Sequence, residues 1–262
     1  MKINDNYIFK YAPINVFTYK NLLISQLWFG PPDSMNDQLE GLIKVKNKDF
    51  KPSKKALNHF ISLNGLRDYY YYSDPLEEIQ KHGFIKFFLN NWYHLQRNKY
   101  GISCFSSTPK EPLMWSHYAN KHTGICLIYN KHKLMEGLFD SGFYFDIRKI
   151  NYKERPTLEL LECNGEILIN SNEPVLFSKN SKWKYEKEIR ISFLSGETNK
   201  FIGRSFTTYP SALEGVIYGV NINEDDLDSI SYVLRNDPLY AHVKEYFAEI
   251  DYEKGSIKIK ED

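Results

Sequence analysis

The sequence predicts one α+β domain spanning residues 1–262, and three observations predict it. Helical and strand-like patterns fall in separate blocks: Lys54 to Lys99 reads as helical with few breakers, whereas β-like apolar runs dominate from Gly101 onwards. No internal repeat and no tract rich in Pro, Gly or Ser divides the chain. A chain of 262 residues with 16% aromatics can bury a substantial core. The block at about 54–99 is therefore expected as a helical insertion after the second strand.

Residues 7–11 and 27–29 read as short strands separated by a helical segment at 13–25. Gly30-Pro31-Pro32-Asp33 then stops any regular element. Within the helical block, Asp74-Pro75 opens a helix, with Ser73 or Asp74 as cap and Pro75 in the first turn. The tyrosines Tyr69 to Tyr72 just before it are expected to pack. Gly101–Ser106 and Gly124–Tyr129 are β-like, and a short helix from Pro112 to Asn120 lies between them. Further strands are expected at 143–152, 185–194 and 215–219, with another at Ser205–Tyr209. Asn223 caps a last helix with acids in its first turn, and strands around Val243–Ile250 and Ser256–Lys260 close the chain.

Lys+Arg 34 against Asp+Glu 33 gives no global field, so a polyanion would have to be held by a local patch. Lys44, Lys46, Lys48, Lys51, Lys54 and Lys55 form such a stretch, although a solvated lysine face is the commoner explanation. Cys104, Cys126 and Cys163 have neither CxxC spacing nor an even count, which argues against zinc and a disulfide framework. No metal is expected, and Cys104 and Cys126 read as buried small hydrophobes. Met1 to Asn6 carries no hydrophobic signal core, and no apolar segment approaches the ~20 residues of a membrane span. A cytoplasmic setting without membrane contact is the expectation.

The stretch Trp183 to Ile191 carries the chemistry. As a strand it points Glu186, Glu188 and Arg190 one way and Lys187, Ile189 and Ile191 the other. Two glutamates along one strand face repel and need a reason. One reason is an exposed edge neutralised by Arg190. The other is an acid pair that holds a sugar and steadies positive charge at its anomeric carbon.

Four signatures resemble a bacterial family catalogued as domain of unknown function 2971. They are Ile8-Phe9-Lys10-Tyr11; Leu27 to Pro32 running into Met35 to Glu40; Ile102 to Ser106 followed by Met114 to Ala119 and His122 to Leu127; and Trp183 to Arg190. Two positions depart from the family pattern, Ala12 where Arg is usual after Lys-Tyr and Gln38 where Pro is usual after Asn-Asp. More distantly, Lys10-Tyr11, Phe105-Ser106-Ser107-Thr108 and Glu186-x-Glu188 follow the order of parts in ADP-ribosyltransferases. That resemblance implies a mixed, mainly antiparallel split β-sheet core and NAD+ as co-substrate. Cleaving the bond from nicotinamide to ribose builds an oxocarbenium-like centre, which a carboxylate stabilises. A cation is needed at the pyrophosphate and an aromatic against the nicotinamide.

On this resemblance Glu188 is the first choice to steady the ribose, with Glu186 handling the acceptor or sharing the role. The competing reading is a surface pair with Arg190 worth ~0–1 kcal/mol. His117, as a group to hydrogen-bond the cofactor ribose or phosphate, is the third catalytic candidate, against a structural, hydrogen-bonded histidine. Lys10, Tyr11, Ser106, Phe105, Tyr118 and Arg190 form the expected cofactor-binding set. The plainer readings are a snorkelling Lys10, a strand exit at Ser106 and core packing for Tyr118. Trp115 is expected in the core, Trp183 and Tyr185 over the pocket, and Asn36-Asp37 in an Asx-type turn. The implied protein is an NAD+-dependent ADP-ribosyltransferase of the toxin or antiviral-defence type. It would modify a macromolecular acceptor, RNA ahead of protein, and be held by an inhibitory antitoxin-type partner. The rivals are a metal-independent nuclease using His117 with Glu186 or Glu188, and a non-catalytic module sensing a nucleotide or phage protein.

Overall fold

A computed structural model describes residues 4–37, 41–70, 73–97, 99–153, 155–171, 175–196 and 201–261. The continuous apolar run Ile125–Asn130 explains the centre of the architecture. Ile125, Leu127 and Tyr129 face one core while Cys126 and Ile128 face another, the pattern of a strand covered on both sides. It pairs antiparallel with Tyr7–Ala12 on one side and Leu213–Tyr218 on the other. These strands belong to an eight-stranded sheet. Its order is Ser256–Glu261, Lys244–Asp251, Leu213–Tyr218, Ile125–Asn130, Tyr7–Ala12, Tyr100–Ser106, Glu188–Leu194, Phe145–Lys149. Leu213–Tyr218 and Lys244–Asp251 run parallel, linked through the Asn223-capped helix Glu224–Asn236; the other pairings are antiparallel.

The sheet is split in its middle. Tyr7–Ala12 pairs with Ile125–Asn130 along its whole length but meets Tyr100–Ser106 only at Phe9 opposite Ser106. On one face Leu22, Leu134, Leu138, Ile230 and Leu234 share one core with Ile125, Leu127, Ile189, Ile191 and Phe193. On the other, Trp115 of the helix Pro112–Tyr118 and Ala119 at its C-cap share a core with Phe9, Tyr11 and Cys126. The insertion has a third core of its own, built on Phe60, Phe84, Phe88 and Leu160.

The helices Lys54–Leu63, Leu66–Tyr69, Pro75–His82 and Phe84–Arg97 fill the expected block, with Asp74 accepting from the Leu76 N–H as cap. Tyr70 stacks on Phe87 at 5.6 Å. Tyr71, Tyr72, Gln38, Leu39 and Glu40 lie outside the described residues. Among the described residues, no helix is long and apolar enough to cross a membrane.

Several elements differ from the sequence expectations. The stretch 185–194 is not one strand: Ser181–Glu186 is a 3-10 helix capped by Asn180, and the strand begins at Glu188. Lys187, left-handed at φ 46°, makes the corner between them. The 143–152 strand is interrupted into Phe145–Lys149 and Asn151–Tyr152. The helix Lys131–Phe139 and the hairpin Thr157–Cys163 with Glu166–Ser171 are unanticipated, and Lys44–Val45 joins that hairpin as a third strand.

Candidate functional site

Where the two central strands part, a cavity of about 270 Å³ opens. Phe9, Lys10 and Tyr11 line it from one strand and Ile102 to Ser106 from the other. Trp28, Met35, Asn36 and Tyr118 complete its wall together with Lys179, Glu186 and Glu188. The sequence brings the acids here by a local route. Ser178–Lys179 pairs parallel with Asn151–Tyr152, the 3-10 helix turns back, and Lys187 redirects the chain into the Glu188 strand. The Ser106 hydroxyl donates to the Glu186 carbonyl at 2.7 Å, and the Thr108 N–H donates to Ser106 Oγ at 3.2 Å. Ser106 thus pins the corner on which both acids hang.

The two acids are not surface groups. Glu186 is 2% exposed and Glu188 4%. Lys179 bridges them, donating from Nζ to Glu186 Oε2 at 2.6 Å and to Glu188 Oε2 at 3.1 Å. Arg190 grips Glu188 with Nε at 2.6 Å and Nη2 at 3.2 Å, and gives Nη1 to the Leu176 carbonyl. Tyr118 donates its hydroxyl to Glu186 Oε1 at 2.6 Å, while Asn36 Nδ2 donates to the same hydroxyl oxygen. Two carboxylates and two buried cations therefore cancel.

The pair is nevertheless unequal. An ionised carboxylate has about four lone-pair sites. Glu188 spends three on Arg190 and Lys179. Glu186 accepts from Tyr118 and Lys179, which leaves two sites for a ligand. Titration behaviour divides in the same way. Burial opposes ionisation of Glu188, yet Arg190 and Lys179 override it and hold the carboxyl at about 2. Burial raises Glu186, and Lys179 with Tyr118 only partly offsets that. Burial, then Glu186, pushes the Tyr118 phenol upward.

Of the candidates read from the sequence, Lys10, Tyr11, Phe105, Ser106, Tyr118, Glu186 and Glu188 all line the cavity. Lys10 donates to Ser103 Oγ at 3.1 Å and to the Cys104 carbonyl at 3.2 Å, and burial lowers its pKa. Tyr11 donates to the Thr108 carbonyl at 3.0 Å, and its ring meets Trp115 edge-on. Two candidates stand apart. His117 is exposed, with its ring 6.3 Å from that of Tyr185, and does not line the cavity. Arg190 is committed to Glu188 and Leu176 rather than to the cavity. Cys104 lines the cavity instead of filling the core, and Asn36 reaches Tyr118 instead of only shaping a turn. Cys126 and Trp115 are core residues. The sequence reading missed Lys179, which is 3% exposed, and Trp28, half-exposed in the cavity wall.

The fold and site together define an α+β chain with a charge-lined cleft at the split of its main sheet. Residues 114–191 match the family model described as "Protein of unknown function (DUF2971)". The match covers Tyr118, Glu186, Glu188 and Arg190, whereas Lys10 and the Ile102–Ser106 wall fall outside it. No curated protein and no solved structure matches the chain.

Proposed function

We propose that the chain is an NAD+-dependent ADP-ribosyltransferase that acts from the split-sheet cleft, with RNA as the favoured acceptor. The observation that carries this reading is Glu186: a buried carboxylate on the cavity wall, fixed by Lys179 and Tyr118, that still has lone pairs to offer. In this reading the nicotinamide ribose hydroxyls donate to Glu186. Glu188, first choice on sequence, becomes the group that holds Lys179 and Arg190 in place.

The N-glycosidic bond breaks and nicotinamide leaves with the bonding electrons. The positive charge left on the ribosyl carbon faces Glu186, and an acceptor nucleophile bonds to that carbon. Its proton passes to Glu186, whose raised pKa suits a base working nearer neutrality. A cavity of about 270 Å³ falls just below the usual ~300–1,000 Å³ for ligand sites. It suits the nicotinamide riboside end, with the remaining nucleotide lying along the mouth. Lys10 is the cavity-wall cation for phosphate, and Trp28 offers a ring at the rim.

Protein incubated with labelled NAD+ and whole-cell RNA should release nicotinamide and add ADP-ribose mass to the RNA. Glu186→Gln should lower that rate by ~10²–10⁴. RNA cleavage without NAD+ would favour a nuclease instead, although the exposed His117 weakens that alternative. A second reading, a non-catalytic nucleotide-sensing module, draws on the mutual neutralisation of Glu186, Lys179, Glu188 and Arg190. Binding of NAD+ with no nicotinamide release would favour it. A reducing cytoplasm and an inhibitory partner belong to the transferase reading; co-purification of the chain with a protein encoded beside it would test the latter.

A further inference from the structure

A second cavity, about 610 Å³, lies in the helical insertion between the Lys48–Pro52 loop and the helices Lys54–Leu63, Pro75–His82 and Phe84–Arg97. Its inner wall is apolar, with Phe50, Leu57, Ile79 and the buried Phe84. The Phe50 and Phe84 rings are 5.9 Å apart. Its rim is cationic: Lys48, Lys51 and Lys86 are exposed there, against the single carboxylate of Asp49. Among the described residues these three lysines pair with no carboxylate, unlike Lys46, which reaches Glu159 at 3.2 Å. An apolar wall with aromatic edges under a cationic rim fits a ligand with a planar body and an anionic tail. A nucleotide unit has that chemistry, the base against Phe50 and the phosphates on the lysines.

We propose that this cavity binds single-stranded RNA. The idea deepens the transferase reading by giving the acceptor its own site, away from the NAD+ cleft. It turns the basic stretch into a specific claim: Lys48 and Lys51 contact RNA, and Lys54 and Lys55, exposed outside the cavity lining, do not.

The test compares two equal charge reversals, Lys48→Glu/Lys51→Glu and Lys54→Glu/Lys55→Glu, by fluorescence anisotropy with a labelled ten-nucleotide single-stranded RNA of mixed sequence. All four side chains are exposed, and circular dichroism confirms that each variant is folded. The cavity variant should bind at least ~10-fold more weakly, with its log–log salt slope smaller by about 1.4, from ~0.7 per phosphate contact. The control variant should stay within about threefold of the parent. Restoring charge with Lys48→Arg/Lys51→Arg should leave binding intact. Equal loss in both variants, or no binding by the parent chain, overturns the proposal. A calorimetric NAD+ titration of the parent chain, set beside its RNA anisotropy, separates the two ideas. RNA binding without NAD+ binding leaves this site standing and removes the transferase, whereas NAD+ binding without RNA binding does the reverse.

Discussion

Replacing Lys179 with Met keeps the aliphatic stem and deletes the charge that both cleft acids share. The Lys179 side chain is 3% exposed and lies 2.6 Å from Glu186 and 3.1 Å from Glu188. Removing one partner of a buried ion pair typically costs ~3–5 kcal/mol, because a charge is left uncompensated. Here the exposed debt falls on Glu186, since Glu188 keeps Arg190. Glu186 can escape by taking a proton. That caps the loss at the cost of protonating a carboxyl of ordinary pKa 4.3, about 4 kcal/mol at pH 7 and about 1 kcal/mol at pH 5. The sign follows from linkage. Above pH ~4.3 the folded variant holds a proton that the unfolded chain has lost, so its stability falls as pH rises. Urea unfolding at pH 5 and pH 7, followed by tryptophan fluorescence, reads both quantities. A loss below ~1 kcal/mol at pH 7, or equal losses at the two pH values, would refute the bridging role.

The other acid gives the opposite pH trend. Glu188, held at about 2, should contribute stability in the parent chain that is complete above its unfolded pKa of ~4.3 and lost as pH falls through 2; acid unfolding of parent and Glu188→Gln chains measures it. Glu188→Gln should also cost ~3–5 kcal/mol at pH 7 in urea unfolding, because it replaces the carboxylate gripped by the buried Arg190 guanidinium with a neutral amide. Tyr118→Phe removes the hydroxyl between Asn36 and Glu186 and should cost ~1–3 kcal/mol in the same assay. Gly165 is left-handed at φ 80°, and an added Cβ would come within 2.7 Å of Lys55 Cδ. Gly165→Ala should therefore destabilise the Thr157–Ser171 hairpin by ~1 kcal/mol or more, seen as faster amide exchange there.

The centre of the sheet was legible because Ile125 to Tyr129 is apolar on both faces, and a run of that kind needs no partner to be recognised. The split was not a periodicity signal: it depends on Tyr7–Ala12 and Tyr100–Ser106 pairing at one residue only. The Thr157–Ser171 hairpin carries a legible turn, Asn164-Gly165 at φ 53° and 80°, which is the strongest short hairpin signal. The strands on either side are blurred by consecutive apolar residues, Leu160-Leu161 in one and Ile167-Leu168-Ile169 in the other, which hide the alternation. Lys131–Phe139 was hidden as well. Asn130 caps it, but Lys131, His132 and Lys133 precede the buried Leu134, Met135 and Leu138.

At the site, the Glu-x-Glu spacing marked the two acids, and Tyr118 lay inside a recognisable motif. Lys179 left no sequence signal. A lysine reads as surface, and it is buried only because Ser178–Lys179 pairs with the distant Asn151–Tyr152. The lone-pair difference between Glu186 and Glu188 is likewise a product of where Lys179, Arg190 and Tyr118 end up.

The central claim is that Glu186 presents its remaining lone pairs to a ribose in the cleft. Calorimetric titration of NAD+ into the parent chain and into Glu186→Gln tests it most directly. The parent should show one saturable site with Kd in the ~1 μM–1 mM range typical of enzyme substrates. Glu186→Gln, losing charged hydrogen bonds worth ~1.5–3 kcal/mol, should bind at least ~10-fold more weakly. Absence of any binding heat with the parent chain, or equal Kd for the two proteins, would contradict it.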